Sequence, residues 1–272
     1  MLEDHIGDIV RKARGMSGVS ATDAAAAAGI SESDWLQLES AGETGGNPNW
    51  AAVAGLLGLN PAKLEGLAAG WQPARPDLAR WPGLLPVTTT ESGNTVHAYL
   101  VWDAVTREAA VFDTGWNAEP ILAAVSGGRL HLKQVFITHS HPDHMAGLAG
   151  LRDAFPEIQL HSNSAAAPAR HRIKPGDRFA IGSLEVTWRA TPGHAEDGVT
   201  WIVEGWPEKA PLVAIVGDTI FAGSMGRGNQ SWELARRKVR EEILTLPPDA
   251  LICPGHGPLT TVAEELAHNP FF

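Results

Sequence analysis

Cysteine is almost absent from this chain of 272 residues, with Cys253 as the only one. A single cysteine excludes an internal disulfide and is typical of proteins from a reducing compartment. No run of 18 apolar residues occurs, so the sequence predicts no membrane span. The first 15 residues lack a basic start followed by a long apolar stretch, so a signal peptide is not expected. These absences together predict a cytoplasmic protein without a membrane partner.

Basic residues are also scarce relative to acidic ones. The chain has 21 lysines and arginines against 31 aspartates and glutamates, which gives a formal net charge of −10. A surface this acidic repels phosphate backbones and anionic lipids unless a local basic patch overrides it. Nucleic acid is therefore not an expected partner. Apolar residues make up 44% of the chain, which is enough for a substantial core.

The composition changes near residue 70 and predicts two domains. Alanine-rich stretches with short helical patterns fill residues 1–70, and proline-punctuated strands follow them. Residues 71–83 contain three prolines and are interpreted as a linker, so the second domain spans residues 84–272. In the first domain, Ser20 and Ser31 each stand three residues before an aspartate, which is a spacing typical of helix N-caps.

The helices predicted in residues 1–70 follow one another in an order that resembles the helix-turn-helix module of phage repressors. A recognition helix normally presents Arg, Lys, Asn or Gln to DNA. The corresponding segment, SESDWLQLES at residues 31–40, has no basic residue, and residues 1–70 carry four basic against nine acidic side chains. The missing positive charge favours a packing or dimerisation module, through which a homo-oligomer is expected. A metabolite-sensing DNA-binding regulator is the alternative from a different functional class.

From residue 84 onward, β-type runs alternate with helical stretches. The predicted strands read LLPVTTT, VHAYLVW, AAVFDTG, QVFITHS, LEVTWRATPGH, VTWIVEG, LVAIVGDTIF and ALICPGHG. Helices are expected between them at residues 119–125, 145–155 and 233–245. This mixture of strands and helices predicts an α/β sandwich.

The strongest chemical signal is the heptapeptide THSHPDH at residues 138–144. It follows an apolar strand and precedes a helix with small residues. Imidazole nitrogens and carboxylate oxygens are the usual ligands of zinc and related ions. Four such side chains lie within six residues on a turn after a strand. The heptapeptide therefore predicts a metal site that needs few long-range contacts to assemble.

Three later segments follow the same design, in which a β-type run ends in a potential ligand. His194 ends LEVTWRATPGH, Asp218 ends LVAIVGD, and His256 follows ALICPG. A glycine precedes each of them and permits a tight backbone turn. Each segment alone is a weak signal, but the four segments in this order indicate one metal centre.

The series THSHPDH, TPGH, GDTIF and PGHG resembles the metallo-β-lactamase fold hydrolases, and GDTIFAGSMGR with the closing NPFF resembles their glyoxalase II-like branch. The resemblance covers residues 84–272. It implies a four-layer αβ/βα sandwich with metals at one edge of the two sheets, preceded here by a small all-α domain. The ligands that the resemblance implies are His139, His141 and His194 for one metal, Asp143, His144 and His256 for the second, and Asp218 as a bridge between them.

This ligand set implies hydrolysis. Two cations lower the pKa of a shared water, so that a bridging hydroxide exists at neutral pH and attacks an electrophilic carbonyl. The expected cofactors are two divalent metal ions; zinc is favoured, with iron and manganese as alternatives that the ligands do not distinguish. Asp143 and Asp218 are the predicted catalytic residues. Asp113, in AVFDTG, is predicted to support the ligands from outside, with a solvated turn aspartate as the alternative.

The substrate that the resemblance implies is a small acyl compound, in particular a thioester of the hydroxyacylglutathione type. An iron-dependent persulfide dioxygenase and a lactonase are the alternatives. Retention of both His144 and His256 favours two metals over the single iron of the dioxygenases. The candidate substrate contacts are Arg227 in the family's GR element, His171 in the loop ARHRIKPGD, and Trp116 after AVFDTG.

Two departures from the family bear on the substrate. Glyoxalase II proper uses basic and tyrosine residues of an additional C-terminal domain for glutathione, whereas Tyr99 is the only tyrosine here. Glu196 and Asp197 stand close after the TPGH motif, where they disfavour an anionic substrate unless they point to solvent. The sequence therefore implies thioester chemistry without implying glutathione as the leaving group.

Overall fold

The computed structural model describes residues 1–272 and begins with five short helices. They are α1 (Ile6–Ser17), α2 (Ala21–Ala28), α3 (Glu32–Ala41), α4 (Trp50–Leu57) and α5 (Pro61–Ala68). The predicted caps of α2 and α3 are confirmed, because the hydroxyls of Ser20 and Ser31 accept hydrogen bonds from backbone N–H groups three residues ahead, at 3.0 and 3.1 Å. A cap of this kind stabilises a helix by about 1 kcal/mol. Gly29 ends α2 in the left-handed conformation that favours glycine.

The rest of the chain forms two β-sheets, and the first of them has five strands in the order β1-β2-β3-β4-β5. Its strands are β1 (Leu84–Glu91), β2 (Asn94–Trp102), β3 (Glu108–Phe112), β4 (His131–Phe136) and β5 (Gln159–His161). β1, β2 and β3 pair antiparallel, whereas β3, β4 and β5 pair parallel. Parallel pairs require crossover segments, and helices supply both of them.

The second sheet has six strands in the order β11-β10-β9-β8-β7-β6. Its strands are β6 (Phe179–Ile181), β7 (Leu184–Ala190), β8 (Val199–Glu204), β9 (Val213–Gly217), β10 (Leu251–Pro254) and β11 (Thr260–Thr261). β9 and β10 pair parallel, and the other neighbours pair antiparallel. Every residue of β9 is buried, which explains its continuous apolar sequence, since a strand covered on both faces shows no alternation.

Helices cover the outer face of each sheet, so the fold is the predicted α/β sandwich of four layers. The later helices are α6 (Glu119–Gly128), α7 (Pro142–Met145), α8 (Leu148–Ala154), α9 (Trp232–Lys238) and α10 (Val262–His268). α6 and α8 pack on the first sheet through Ile121 and Leu151. The core between the sheets contains Trp201, whose indole N–H donates to the Ile137 carbonyl at 3.1 Å.

The N-terminal helices pack on the outer face of the second sheet. Their apolar residues belong to one continuous hydrophobic cluster with side chains of β9 and α9, for example Val10 and Leu64 with Val216 and Ala235. Trp81, within the predicted linker, is buried and donates from its indole N–H to the Pro211 carbonyl at 2.7 Å. No helix has the length and apolar character needed to cross a bilayer.

The strands and helices predicted after residue 84 are present, but three short strands are additional. β5, β6 and β11 have three, three and two residues, which is too short to show periodicity. The helix expected at residues 145–155 corresponds to α8, and the short α7 that precedes it is additional. The helix expected at residues 233–245 begins as α9 and continues as a π-helical turn, Val239–Ile243.

Candidate metal centre

The candidate ligands all lie in segments that follow strands. His139 and His141 follow β4, and the next two candidates lie in α7. His194 follows β7, Asp218 directly follows β9, and His256 lies two residues after β10. β9 and β10 are parallel neighbours, so their carboxyl ends point to the same edge of the sheet. The fold therefore brings together residues that are more than 100 positions apart in the sequence.

Three histidines and one aspartate converge in the first cluster. The His141 Nδ1 atom lies 3.0 Å from His139 Nε2 and 3.1 Å from His194 Nε2. The Asp218 Oδ2 atom lies 3.4 Å from His194 Nε2 and 4.0 Å from His139 Nε2. One ligand atom from each of the four residues lies within 4.8 Å of the others. The cluster thus has the composition and spacing of a four-ligand metal site.

The second cluster shares the same aspartate. The Nε2 atoms of His144 and His256 lie 3.3 and 3.5 Å from Asp218 Oδ1. The Asp143 Oδ2 atom lies 3.3 Å from His256 Nε2 and 3.7 Å from His144 Nε2. The two oxygens of the Asp218 carboxylate therefore face the two clusters separately, with Oδ2 toward the first and Oδ1 toward the second.

Two observations indicate that these residues fit divalent metal ions. Metal–ligand bonds of 2.0–2.2 Å in a tetrahedral site place ligand atoms about 3.3 Å apart, and most of the separations within the two clusters lie near that value. In addition, His144 Nε2 and Asp218 Oδ1 are buried and have no hydrogen-bond partner. A buried polar atom without a partner is unfavourable, and a cation between these two atoms would satisfy both.

The second nitrogen of four candidate ligands is held by a protein oxygen. For His139 Nδ1 it is the Thr138 hydroxyl, at 3.1 Å. His144 Nδ1 lies 2.7 Å from Asp113 Oδ2, His194 Nδ1 lies 3.0 Å from the Arg227 carbonyl oxygen, and His256 Nδ1 lies 2.5 Å from the Thr95 carbonyl oxygen. Such contacts fix the tautomer and the ring orientation of a metal-binding histidine. Both carbonyls belong to the main chain, so neither contact is visible in the sequence.

Asp113 is buried, although its surroundings in the sequence also suit an exposed turn. Only 1% of its surface is accessible, and its carboxylate accepts hydrogen bonds from the backbone N–H and the hydroxyl of Thr138, both at 2.7 Å. Its φ of 58° lies in a region that a residue other than glycine adopts at a cost. Asp113 therefore connects the turn after β3 to the ligand-bearing turn after β4 and to His144.

The protonation preferences of the two clusters differ. Burial lowers the pKa of His139 well below its usual value, and the neighbouring His144 lowers it further. Burial also opposes protonation of His144, but the carboxylates of Asp218 and Asp113 outweigh burial and raise its pKa to about 10. Carboxylates likewise outweigh burial at His256 and raise its pKa to about 11. Because a metal cation replaces such protons, the second cluster would release protons on binding metal.

Gly255 illustrates why small residues stand beside the ligands. A Cβ atom at this position would lie 2.5 Å from Asp218 Oδ1 and 2.6 Å from His144 Cε1. Real Cβ atoms do not approach other atoms this closely, so any larger residue would displace the shared carboxylate. Glycine at this position thus allows the backbone itself to form one wall of the centre.

A polar cleft of about 670 Å³ opens beside His141 and His194. No lysine or arginine lines it. The polar residues that line it include Ser140, Asn163, Ser164, Glu196, Asp197 and Gln230. Asp197 Oδ1 accepts a hydrogen bond from the Ser140 backbone N–H at 3.4 Å, whereas the exposed Glu196 side chain has no hydrogen-bond partner in the protein.

The three candidate substrate contacts lie outside the lining of this cleft. The Arg227 side chain is exposed, and its backbone carbonyl rather than its guanidinium contacts a candidate ligand. His171 lies 3.4 Å from an Arg152 nitrogen. The Trp116 indole N–H donates to the Asn94 carbonyl at 3.0 Å and thereby fixes the ring against the β1–β2 hairpin. Their roles toward a substrate stay predictions.

The family is decided by a sequence match that spans the centre. The family model described as "Metallo-beta-lactamase superfamily" matches residues 92–256, a segment that begins in the turn between β1 and β2 and ends at His256. The chain belongs to the metallo-beta-lactamase superfamily. Residues 1–91, which include all five N-terminal helices, precede the matched segment.

Within the superfamily, the chain is similar to proteins that are named for three different activities. A hydroxyacylglutathione hydrolase from Cereibacter sphaeroides is 35% identical over 167 residues, which are 59% of this chain and 62% of that enzyme. The human mitochondrial persulfide dioxygenase ETHE1 is 32% identical over 181 residues, which are 63% of this chain and 69% of that protein. The crystal structure of the B3 metallo-beta-lactamase BLEG-1 has a TM-score of 0.60 at 27% identity and covers 69% of this chain and 98% of its own.

Proposed function

We propose that this member of the metallo-beta-lactamase superfamily is a dinuclear metal-dependent hydrolase of a small thioester, similar in reaction to hydroxyacylglutathione hydrolase. The observation that carries the proposal is the position of Asp218, whose two carboxylate oxygens face the two ligand clusters separately. A single metal site needs only one of these oxygens. A second metal ion would account for the second cluster.

The proposed ligands divide the work between two sites. His139, His141 and His194 would hold one divalent ion, and Asp143, His144 and His256 would hold the other, with Asp218 between them. Two bound cations would lower the pKa of a water molecule to near neutrality and polarise an acyl carbonyl. Zinc suits this nitrogen-rich ligand set, and iron and manganese are the alternatives.

Side chains around the two clusters would orient the ligands, the attacking water and the substrate. Asp113 holds the Nδ1 side of His144, so Nε2 would face the centre and exchange its proton for a metal ion. Asp143, half-buried beside His256, would orient the attacking water as well as hold metal. The cleft next to His141 presents amide and hydroxyl groups of residues such as Asn163 and Ser164, which can orient the polar groups of a thioester.

A direct test is the initial rate of S-lactoylglutathione hydrolysis by the zinc-loaded protein, compared with Asp218→Ala. Exposed His131 and Asp153 lie outside the centre, so His131→Ala and Asp153→Ala serve as matched controls. The proposal expects turnover in the wild type and both controls and none in Asp218→Ala. Equal turnover in Asp218→Ala, or no turnover of this and other thioesters by the wild type, would exclude it.

Persulfide dioxygenation is the second candidate, and the similarity to ETHE1 favours it. That reaction would be detected as oxygen consumption by the iron-loaded protein in the presence of glutathione persulfide. Its dependence on the ligands separates the two candidates. The resemblance to the dioxygenases implies a single iron, held without the second cluster. A variant of that cluster, such as His256→Ala, should therefore retain oxygen consumption if the protein is a dioxygenase. It should lose thioester hydrolysis if the protein is a dinuclear hydrolase.

A further inference from the structure

A buried ion pair of the N-terminal region contacts the segment that follows Asp218. Lys12, in α1, and Asp4 are both almost fully buried, and the Lys12 Nζ atom lies 2.5 Å from Asp4 Oδ2. Lys12 Nζ also donates to the Met225 carbonyl oxygen at 3.0 Å. The Ser224 hydroxyl donates to the same Asp4 oxygen at 2.5 Å. The pair is therefore bonded to two successive residues that lie more than 200 positions further along the chain.

The contacted segment, residues 224–227, lies directly against a candidate metal ligand, His194. Its Gly226 has no room for a Cβ atom, which would collide with the Asp218 carbonyl oxygen and lie 3.0 Å from His194 Nδ1. Its Arg227 carbonyl is the hydrogen-bond acceptor for that same Nδ1 atom at 3.0 Å. The position of this segment consequently sets the tautomer and the orientation of His194.

Lys12 also approaches the second cluster by a separate route. Its Nζ atom lies 5.2 Å from the ring centroid of Phe221, a distance at which a cation interacts favourably with an aromatic face. The Phe221 ring in turn contacts His256 edge-on, with ring centroids 5.8 Å apart. The backbone of Glu3 packs against Gly257, where a Cβ atom would lie 2.9 Å from the Glu3 nitrogen.

We propose that Lys12 is a positioning residue for the metal centre. Through its contacts with Asp4, Met225 and Phe221, it fixes the position of the 224–227 segment. It thereby fixes the orientation of two candidate ligands, His194 and His256. The N-terminal helices are then a working part of the hydrolase rather than an attached binding module. This inference rests on the metal centre proposed above. It assigns a function to a region that the superfamily match does not include.

Lys63 provides a matched control. It lies in α5, and its Nζ atom donates to the Leu266 carbonyl of α10 at 2.7 Å. Like Lys12, it is thus a lysine of the N-terminal helices that donates a hydrogen bond to a main-chain carbonyl of residues 84–272, here called the hydrolase part. Unlike Lys12, it has no contact with the 224–227 segment. Loss of Lys63 therefore removes a similar inter-region bond without disturbing the proposed route to the ligands.

The experiment compares Lys12→Met with Lys63→Met by competition between the protein and a chromophoric chelator for Zn²⁺. Loss of a residue that orients a metal ligand typically weakens metal binding by about 10- to 100-fold, and we expect about a tenfold loss for Lys12→Met and none for Lys63→Met. The His194 Nδ1 proton, observed by NMR in the zinc-loaded protein, should exchange faster with solvent in Lys12→Met only. Equal zinc affinity and equal proton exchange in the two variants would overturn the proposal.

A second variant covers the case in which Lys12→Met does not fold because Asp4 is left buried and charged. The double variant Asp4→Asn/Lys12→Met removes both charges, and the same loss of zinc affinity is expected from it; wild-type affinity in the folded double variant would overturn the proposal. Wild-type protein that binds no zinc at Asp218, by contrast, would refute the metal centre itself. The two failures are therefore distinguishable.

Discussion

The metal centre and the N-terminal helices contain buried charges that are stabilised in different ways. In the N-terminal region, Arg14 and Glu39 form a pair with contacts of 2.6 and 2.8 Å, entirely between α1 and α3. At the centre, Asp218 faces four histidine nitrogens from three separate segments, which follow β4, β7 and β10. The first arrangement stabilises one region by itself, whereas the second exists only when the whole sandwich is assembled.

Because of this difference, substitutions in the N-terminal region should affect mainly stability, and substitutions at the centre mainly function. A pair such as Arg14–Glu39 satisfies its own charges, so its loss should weaken the fold without altering the chemistry. The Asp218 cluster carries unpaired buried atoms, and its histidines have pKa values shifted in opposite directions, down at His139 and up at His144; both are features of a binding site rather than of a stabilising network. Substitutions in the two regions should therefore give opposite patterns of effect.

The largest effect on function is expected from Asp218→Ala. It removes the carboxylate shared by both clusters, and we expect kcat/KM to fall by at least the 10²- to 10³-fold, roughly, that loss of one electrostatic stabiliser costs. Metal analysis after gel filtration should show fewer than two ions per chain. The fold should remain, as judged by circular dichroism. Retention of two tightly bound ions in this variant would contradict the assignment of Asp218 as the shared ligand.

Arg14→Met should show the opposite pattern. The substitution leaves the Glu39 carboxylate, which is 4% exposed, without its partner, and removal of one member of a buried pair typically costs about 3–5 kcal/mol. Urea denaturation should report this loss in the free energy of unfolding. Zinc affinity of the folded variant should equal that of the wild type, in contrast to Lys12→Met. A parallel loss of zinc affinity would mean that any destabilisation of the N-terminal helices disturbs the centre.

Glu265, buried in α10, makes the stability of the second region sensitive to pH. Burial raises its pKa to about 7, against the opposing effect of hydrogen bonds from Asn269, Thr260 and the Gly223 N–H. Because the unfolded chain ionises this carboxyl near its ordinary value of 4.5, the contribution of Glu265 to the free energy of unfolding should be greatest below that pH and should decrease as the pH rises to about 7. The shift corresponds to roughly 3 kcal/mol. Thermal unfolding of wild type and Glu265→Gln between pH 4.5 and 8 measures it; parallel curves would refute the prediction.

The smallest effect is expected at the rim of the cleft. Glu196 is exposed and has no partner in the protein, so its charge acts on an incoming substrate through solvent. We expect Glu196→Gln to raise kcat/KM for an anionic thioester by about two- to fivefold at low salt, with little change for a neutral one, because exposed charges interact weakly. A larger change for the neutral substrate would indicate direct contact instead of a charge effect.

The sequence predicts those parts of the molecule whose determinants are local. THSHPDH places four candidate ligands within six residues, and the strands that lead to His194, Asp218 and His256 are apolar enough to be recognised. The carbonyl of Arg227 that supports His194 has no side-chain signature. The contact of Lys12 with Met225 joins residues 213 positions apart, and nothing in either local sequence indicates it.

The N-terminal helices show the same limit. Their caps at Ser20 and Ser31 follow from spacing, and both are present. Their packing against the second sheet depends on the surfaces of Val216 and Ala235, which the pattern of the helices does not specify. The resemblance to a helix-turn-helix module describes the order of the helices, and a gel shift with the DNA upstream of the coding sequence tests whether it extends to DNA binding.

The most direct test of the two-metal account is a titration of the metal-free protein with zinc, followed by the initial rate of S-lactoylglutathione hydrolysis at each addition. The account predicts that the rate rises until two zinc ions are bound per chain and is constant thereafter. A rate that is already maximal at one zinc per chain would contradict the account, because the cluster of Asp143, His144 and His256 would then contribute nothing to the reaction.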